Sequence, residues 1–232
     1  MITFKNLKKS YAKNVVLDID LLEIPKGQAF GLVGNNGAGK TTMFSCLLDL
    51  IKPTKGIVTN NGINVRESED WKTFSSAYLD ESFLIGYLMP EEYFYFIGEL
   101  RNVKEKEVNE FLKQFEDLFN GEILGGKKYI RDLSKGNQKK VGIVAALIGS
   151  PSVIILDEPF ANLDPTTQIR LKKIIKKLST YNRVTVLISS HDLQDVTEVS
   201  ERIVLLEKGK IIKDIKTSKK TLKELESYFT KE

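Results

Sequence analysis

The stretch AFGLVGNNGAGKTT, residues 29–42, reads as a short apolar strand that enters a glycine-rich turn and leaves it as a helix. Within it, Gly34-Asn35-Asn36-Gly37-Ala38-Gly39-Lys40-Thr41 fits the pattern G-x-x-x-x-G-K-[ST] of a phosphate-binding loop. The residue types explain the chemistry. Glycines permit the tight path that points successive backbone N–H groups at phosphate oxygens. Lys40 supplies a point charge for the β and γ phosphates, and the Thr41 hydroxyl is suited to ligate Mg²⁺. The alternative is a chance match to a loose pattern, and the apolar strand before it and the helical run TTMFSCLLDLI after it argue against that.

A second element completes a nucleotide site. Val153-Ile154-Ile155-Leu156-Asp157-Glu158 is an apolar strand ending in two carboxylates. The C-terminal edge of a parallel strand is where such sheets bind ligands. Asp157 is placed to hold Mg²⁺, and Glu158, one residue on, to polarise a water aimed at the γ-phosphate. Acidic residues that cap a strand are common at surfaces, so this pair gains its meaning from the phosphate loop. A nucleotide kinase fits less well, because a site for a phosphate-accepting substrate is expected there. His191 is the only histidine, and it follows the apolar run 184–188 with two serines between. A lone histidine is more often incidental, but at the end of a third core strand it is read as a neutral imidazole touching the γ-phosphate.

The run LSKGNQKKV, residues 133–141, poses a puzzle: Ser134 at a helix cap and Gly136 beside it form another anion-binding helix start. One chain thus carries two phosphate sites almost a hundred residues apart.

Bulk properties set the frame. The 232 residues, 41% hydrophobic and 28% charged, suit an ordinary globular protein with one subdivided domain or two small ones. The net charge of +4 is mild and suits a polyphosphate or a membrane-side location as well as nucleic acid. The N-terminus shows no apolar segment of a secretory leader, and no run is long enough to cross a bilayer. The lone Cys46 fits a reducing cytoplasm and lies in an apolar helical pattern, where inert packing is expected.

Short β-branched stretches lie at 2–4, 15–19, 29–33, 57–59, 153–156, 184–188, 203–206 and 210–215. Those at 29–33, 153–156 and 184–188 are continuous apolar runs of a parallel sheet, while the others alternate between turn signals and suggest antiparallel hairpins. From about 91 to 120 helical periodicity dominates, with Tyr93, Phe96, Ile97 and Leu100 on one face and then Phe111, Phe115, Leu118 and Phe119. Leu222, Leu225 and Phe229 share a face of a last helix. The fold class is α/β, a P-loop core with a mostly parallel sheet, an N-terminal antiparallel β-subdomain and an inserted helical subdomain.

Taken in order, these motifs resemble the ATPase subunit of ATP-binding cassette transporters over nearly the whole chain. Residues 34–42, Gly34 through Thr42, look like the family's Walker A loop, and LSKGNQ is similar to its Leu-Ser-Gly-Gly-Gln signature. Val153 to Glu158 resembles Walker B with its catalytic glutamate, Ala161-Asn162-Leu163-Asp164 the D-loop, and His191 the switch histidine. Tyr11 sits where an adenine-stacking aromatic is expected, although an exposed or packed tyrosine is the plainer reading. The resemblance implies one domain over 1–232, with core pieces 1–82 and 151–232 and a helical subdomain at about 83–150. It also implies ATP and Mg²⁺ as cofactors, a head-to-tail and ATP-dependent homodimer, and transmembrane permease subunits as partners. No direct nucleic-acid contact is expected, and the place is the cytoplasm, peripheral to the inner face of the membrane.

Three departures stand out. Lys135 and Asn137 replace the first glycine and the glutamine of the signature, and a Ser-Lys-Gly run found in some drug-exporter-like members hints at export. The glutamine expected before the helical insertion is missing; Asp80 is taken as its metal-binding counterpart, with Glu81 one register away. The alternatives are a soluble cassette ATPase acting on ribosomes or DNA and a module that has lost hydrolysis. Against the first stand the single cassette and the absence of a basic arm; against the second, Lys40, Asp157, Glu158 and His191.

Overall fold

The computed structural model describes residues 1–181 and 183–229; Asn182 and the last three residues of the expected core piece 151–232 lie outside the described residues. Two sheets organise the chain. The first is antiparallel, in the order β2 (Asn14–Ile24), β1 (Ile2–Tyr11), β4 (Lys55–Asn60), β5 (Ile63–Asn64). Its alternation is visible in the burial of Ile2 and Phe4 on one face, with Phe4 opposite Leu22 on one side and Val58 on the other.

The second sheet takes the order β10 (Lys210–Lys216), β9 (Arg202–Glu207), β3 (Ala29–Val33), β8 (Thr185–Ser190), β7 (Val153–Asp157), β6 (Ser75–Tyr78). β3, β8 and β7 are parallel neighbours and buried along their whole lengths, as the continuous apolar runs predict. Ile154 and Leu156 face one core and Val153 and Ile155 the other, so the sheet is covered on both faces. The run at 203–206 behaves differently from a simple hairpin strand. β9 pairs antiparallel with β10 on one edge but parallel with β3 on the other, which is why Ile203 to Leu206 are all buried.

Helices fill the connections. After β3 comes α1 (Lys40–Leu47), and between β6 and β7 lie α2 (Pro90–Leu100), α3 (Glu105–Leu112), α4 (Glu116–Phe119) and α5 (Lys135–Leu147). Then α6 (Pro165–Thr180) precedes β8, α7 (Leu193–Val199) follows it, and α8 (Thr221–Phe229) closes the described chain with Leu225 buried. The buried face of α2 differs from the periodicity reading. Tyr93 and Phe94 go inside while Phe96 and Leu100 are exposed, at 39% and 64%. The buried face runs through Tyr93, Phe94 and Gly98, where a Cβ would lie 2.5 Å from Val108 of α3. Cys46 is buried, and burial pushes its thiol up to about 11, consistent with inert packing.

One close approach ties the helices to the sheet. A Cβ on Gly142 of α5 would lie 2.4 Å from the ring of Tyr78 at the end of β6. Gly142→Ala is therefore expected to destabilise the fold by about 1–3 kcal/mol, the usual cost of overpacking. Chemical denaturation reads this directly, and a midpoint equal to that of the wild type would show that the ring moves aside freely.

Candidate functional site

Strand order brings the chemistry together. β3, β8 and β7 are adjacent and run the same way, with Val33 beside Ser190 and Asp157 beside Ser189. The loop after β3, the carboxylates ending β7 and the histidine after β8 therefore emerge at one sheet edge, the place where open α/β sheets bind ligands.

The loop is built around its own lysine. Gly39 stands at φ +107° as the residue before α1, a conformation L side chains rarely adopt, and a Cβ there would lie 2.8 Å from the Val16 carbonyl. Lys40 is 6% exposed, and its Nζ donates to the carbonyls of Gly34 at 2.7 Å and Asn35 at 3.4 Å. The same ammonium lies 3.4 Å from Glu158 Oε1. Around these atoms lies a cleft of about 340 Å³, lined by Val16, Asn36, Gly37, Ala38, Gly39, Lys40, Thr41, Thr42 and Glu158.

Asp157 sits deeper. Its carboxylate accepts from the hydroxyls of Thr41 and Ser189, and burial raises its pKa above the ordinary value even though both bonds oppose the shift. This all-oxygen pair, Thr41 Oγ1 beside Asp157 Oδ2, is the donor set a hard divalent cation takes together with substrate phosphates. Among the described residues no group of three or more His, Cys, Asp or Glu gathers as a self-sufficient metal cage. A cation held there would complete its shell with phosphate oxygens and water.

Glu158 is the hub. Oε2 meets His191 Nδ1 at 2.9 Å and the Ser190 hydroxyl at 3.3 Å, while Oε1 faces Lys40. A carboxylate accepts, so Nδ1 carries the proton and a neutral His191 presents a lone pair at Nε2. Contact with a phosphate oxygen through Nε2 then needs a second proton on the ring, or exchange of the Glu158 bond. The neutral-imidazole reading omits that condition.

Other expected residues lie apart from this cleft. Tyr11 ends β1, half exposed, with Lys9 Nζ 4.6 Å above its ring; it belongs to the same hairpin as Val16 but not to the cleft lining. Ser134 caps α5, its Oγ accepting from Asn137 N at 3.2 Å, which leaves its O–H proton available to donate. Gly136 packs against Asn162 and Leu163, where a Cβ would stand 3.1 Å from the Asn162 carbonyl. Asp164 caps α6, and the Thr167 hydroxyl, then the Thr167 N–H, hold its carboxyl below the usual range. Neither Ser134, Gly136 nor Asp164 lines the cleft formed by residues 34–42.

Asp80 and Glu81 part company. Asp80 is exposed and its carboxylate caps the turn at 81–83 by accepting from Ser82 N at 2.7 Å. Glu81 accepts from the Tyr78 hydroxyl at 2.9 Å and lies 4.0 Å from the buried ammonium of Lys139. Sequence reasoning missed Lys139 and Ser189. Ser189 donates its hydroxyl proton to Asp157 and accepts from the Glu158 N–H; its signal was the polar pair Ser189-Ser190 ending an apolar strand. Lys139 donates to the Glu158 carbonyl at 2.8 Å, and no motif marks it.

Comparison with known proteins places the chain. Residues 17–161 match the family described as ABC transporter. The chain is 31% identical to the bacitracin transport ATP-binding protein of Enterococcus faecalis, over 94% of this chain and 70% of that protein. It is also 31% identical to a methionine import ATP-binding protein of Francisella tularensis, over 94% of this chain and 64% of that one. Among solved structures it superposes with a TM-score of 0.80 and 27% identity on an ATP-binding cassette captured as a dimer in a post-hydrolysis state with ADP and Pi, over 94% of this chain and 99% of that one.

Proposed function

Because the chain belongs to the ABC transporter family of ATP-binding subunits, we propose that it is an ATPase that dimerises around two ATP to drive a separate membrane-embedded permease. The observation that carries this reading is that Lys40, Thr41 and Glu158 line one open cleft, with Asp157 bonded to Thr41 and His191 to Glu158. The loop N–H groups and Lys40 bind the β and γ phosphates, and Thr41 and Asp157 supply the oxygens that hold Mg²⁺. Glu158 aims water at the γ-phosphate, with His191 alongside. Asp80, which sits on Ser82, reaches the metal only if the turn at 81–83 opens.

The second phosphate site belongs to the partner copy. Ser134 and Gly136 start a helix beside the turn at 161–164, away from their own cleft, so they suit the γ-phosphate held by another subunit. In this reading residues of about 83–150 form the subdomain carrying that helix, and 1–82 with 151–232 the core. Tyr11 stacks on adenine, and Asp164 fixes the turn that meets the partner. No described helix is long and apolar enough to cross a membrane. In this reading the permease is a separate subunit, with this chain at its cytoplasmic face. Export is favoured by the run Ser134-Lys135-Gly136; equal identity to a named importer means that overall similarity carries no direction.

Ser134→Arg tests the arrangement. It is expected to leave the ATP dissociation constant within about twofold and to cut turnover at least tenfold, because a bulky cation stands where the partner's phosphate must dock. Loss of ATP binding instead would mean that both sites serve one nucleotide within one chain.

A further inference from the structure

Glu158 stands in a backbone conformation that side-chain-bearing residues rarely take, with φ at +47°. Such a conformation persists only where the surroundings hold it. Its N–H is shared between the carbonyl of Ser189 at 3.2 Å and the Ser189 hydroxyl at 3.1 Å. Its carbonyl accepts from Ala161 N at 3.3 Å and from Lys139 Nζ at 2.8 Å. Only the last of these comes from outside β7, β8 and the turn after β7: Lys139 lies on α5, the helix that begins at Ser134.

Lys139 is a costly residue to have there. It is 4% exposed, and burial lowers its pKa below the usual ammonium range. Its ammonium faces Glu81 Oε1 at 4.0 Å and the Tyr78 ring at 5.9 Å, with Tyr78 itself bonded to Glu81. Packing alone does not require a charge in this position; a methionine fills a similar volume without desolvating an ammonium. What a methionine lacks is the donor that reaches the Glu158 carbonyl.

We propose that Lys139 is a positioning residue for Glu158: its ammonium pins the Glu158 carbonyl and so sets the aim of the carboxylate that polarises water. Glu81 and Tyr78 hold the ammonium in place, and Lys139 itself touches neither nucleotide nor water. The proposal rests on the reading of Glu158 given above.

A double-mutant cycle separates the two. ATP turnover and KM are measured for the wild type, Lys139→Met, Glu158→Gln and the double variant, with melting temperatures recorded alongside. Lys139→Met is expected to lower kcat at least tenfold with KM for ATP within twofold. In the Glu158→Gln background it should cost nothing further, because the group being aimed is gone. Wild-type kcat in Lys139→Met, or the same fractional loss in both backgrounds, overturns the proposal. Wild-type turnover in Glu158→Gln instead overturns the reading of Glu158. Should Lys139→Met not fold, Lys139→Gln, whose donor is one atom too short for the carbonyl, enters the same cycle under the same criteria.

Discussion

Glu158→Gln is expected to slow ATP hydrolysis by roughly 10²–10⁴-fold, the range a positioned general base contributes, and to leave a long-lived ATP-bound dimer. The substitution keeps shape and removes basicity. Glu158 Oε2 accepts from His191 Nδ1 and from the Ser190 hydroxyl, and a glutamine carbonyl oxygen can accept from both. Its backbone ties to Ser189 and Lys139 do not involve the side chain, so the turn after β7 should survive. The phosphate loop loses only its 3.4 Å ion pair with Lys40, which frees that ammonium for phosphate oxygens. ATP should therefore bind at least as well as to the wild type while the water goes unactivated. Size-exclusion chromatography with ATP and Mg²⁺ reads the dimer, and a coupled phosphate assay reads the rate. A variant that turns over normally, or stays monomeric with ATP, would count against this reading.

The phosphate loop, the Asp157-Glu158 edge and His191 were legible because each rests on local chemistry that a few consecutive residues fix. The strand, the glycines and Lys40 must be contiguous to cradle phosphate, so the signal lies in one window of sequence. The same holds for the parallel core, where both-face burial leaves unbroken apolar runs such as Val153 to Leu156. What stayed hidden depends on contacts between distant segments. Lys139 reads in sequence as a solvated charge in a basic run, and only the packing of α5 against β6 and the turn after β7 buries it. The inner and outer carboxylates of Asp80-Glu81 could not be sorted either, since a 3-10 turn with Asp80 as its cap decides which one faces in. The phase of α2 differs for a related reason: a stripe over Tyr93, Phe96, Ile97 and Leu100 passes over Gly98, where α2 approaches α3 closely, while Phe96 faces outward.

Lys40→Ala is expected to produce the opposite signature: turnover lost because the nucleotide no longer binds. Two effects combine. The ammonium brings charge-assisted bonds worth about 1.5–3 kcal/mol each, so losing two of those to the β and γ phosphates weakens binding roughly 10²-fold or more. Lys40 also staples the loop, since Nζ holds the carbonyls of Gly34 and Asn35, and alanine releases both. The loop N–H groups then lose their fixed aim at the phosphates as well as their cation. Lys40→Arg should not restore function, because a planar guanidinium does not fit a space where a compact ammonium, 6% exposed, reaches two backbone carbonyls. Glu158 would in turn lose its nearest cation, leaving a half-buried carboxylate against His191 and the Ser190 hydroxyl. Titration calorimetry with ATP and Mg²⁺ distinguishes the two variants: Glu158→Gln should give a binding isotherm without turnover, and Lys40→Ala neither. If Lys40→Ala bound ATP within threefold of the wild type, the cleft formed by residues 34–42 would not be the nucleotide site, and Glu158 would have no phosphate at which to direct its water.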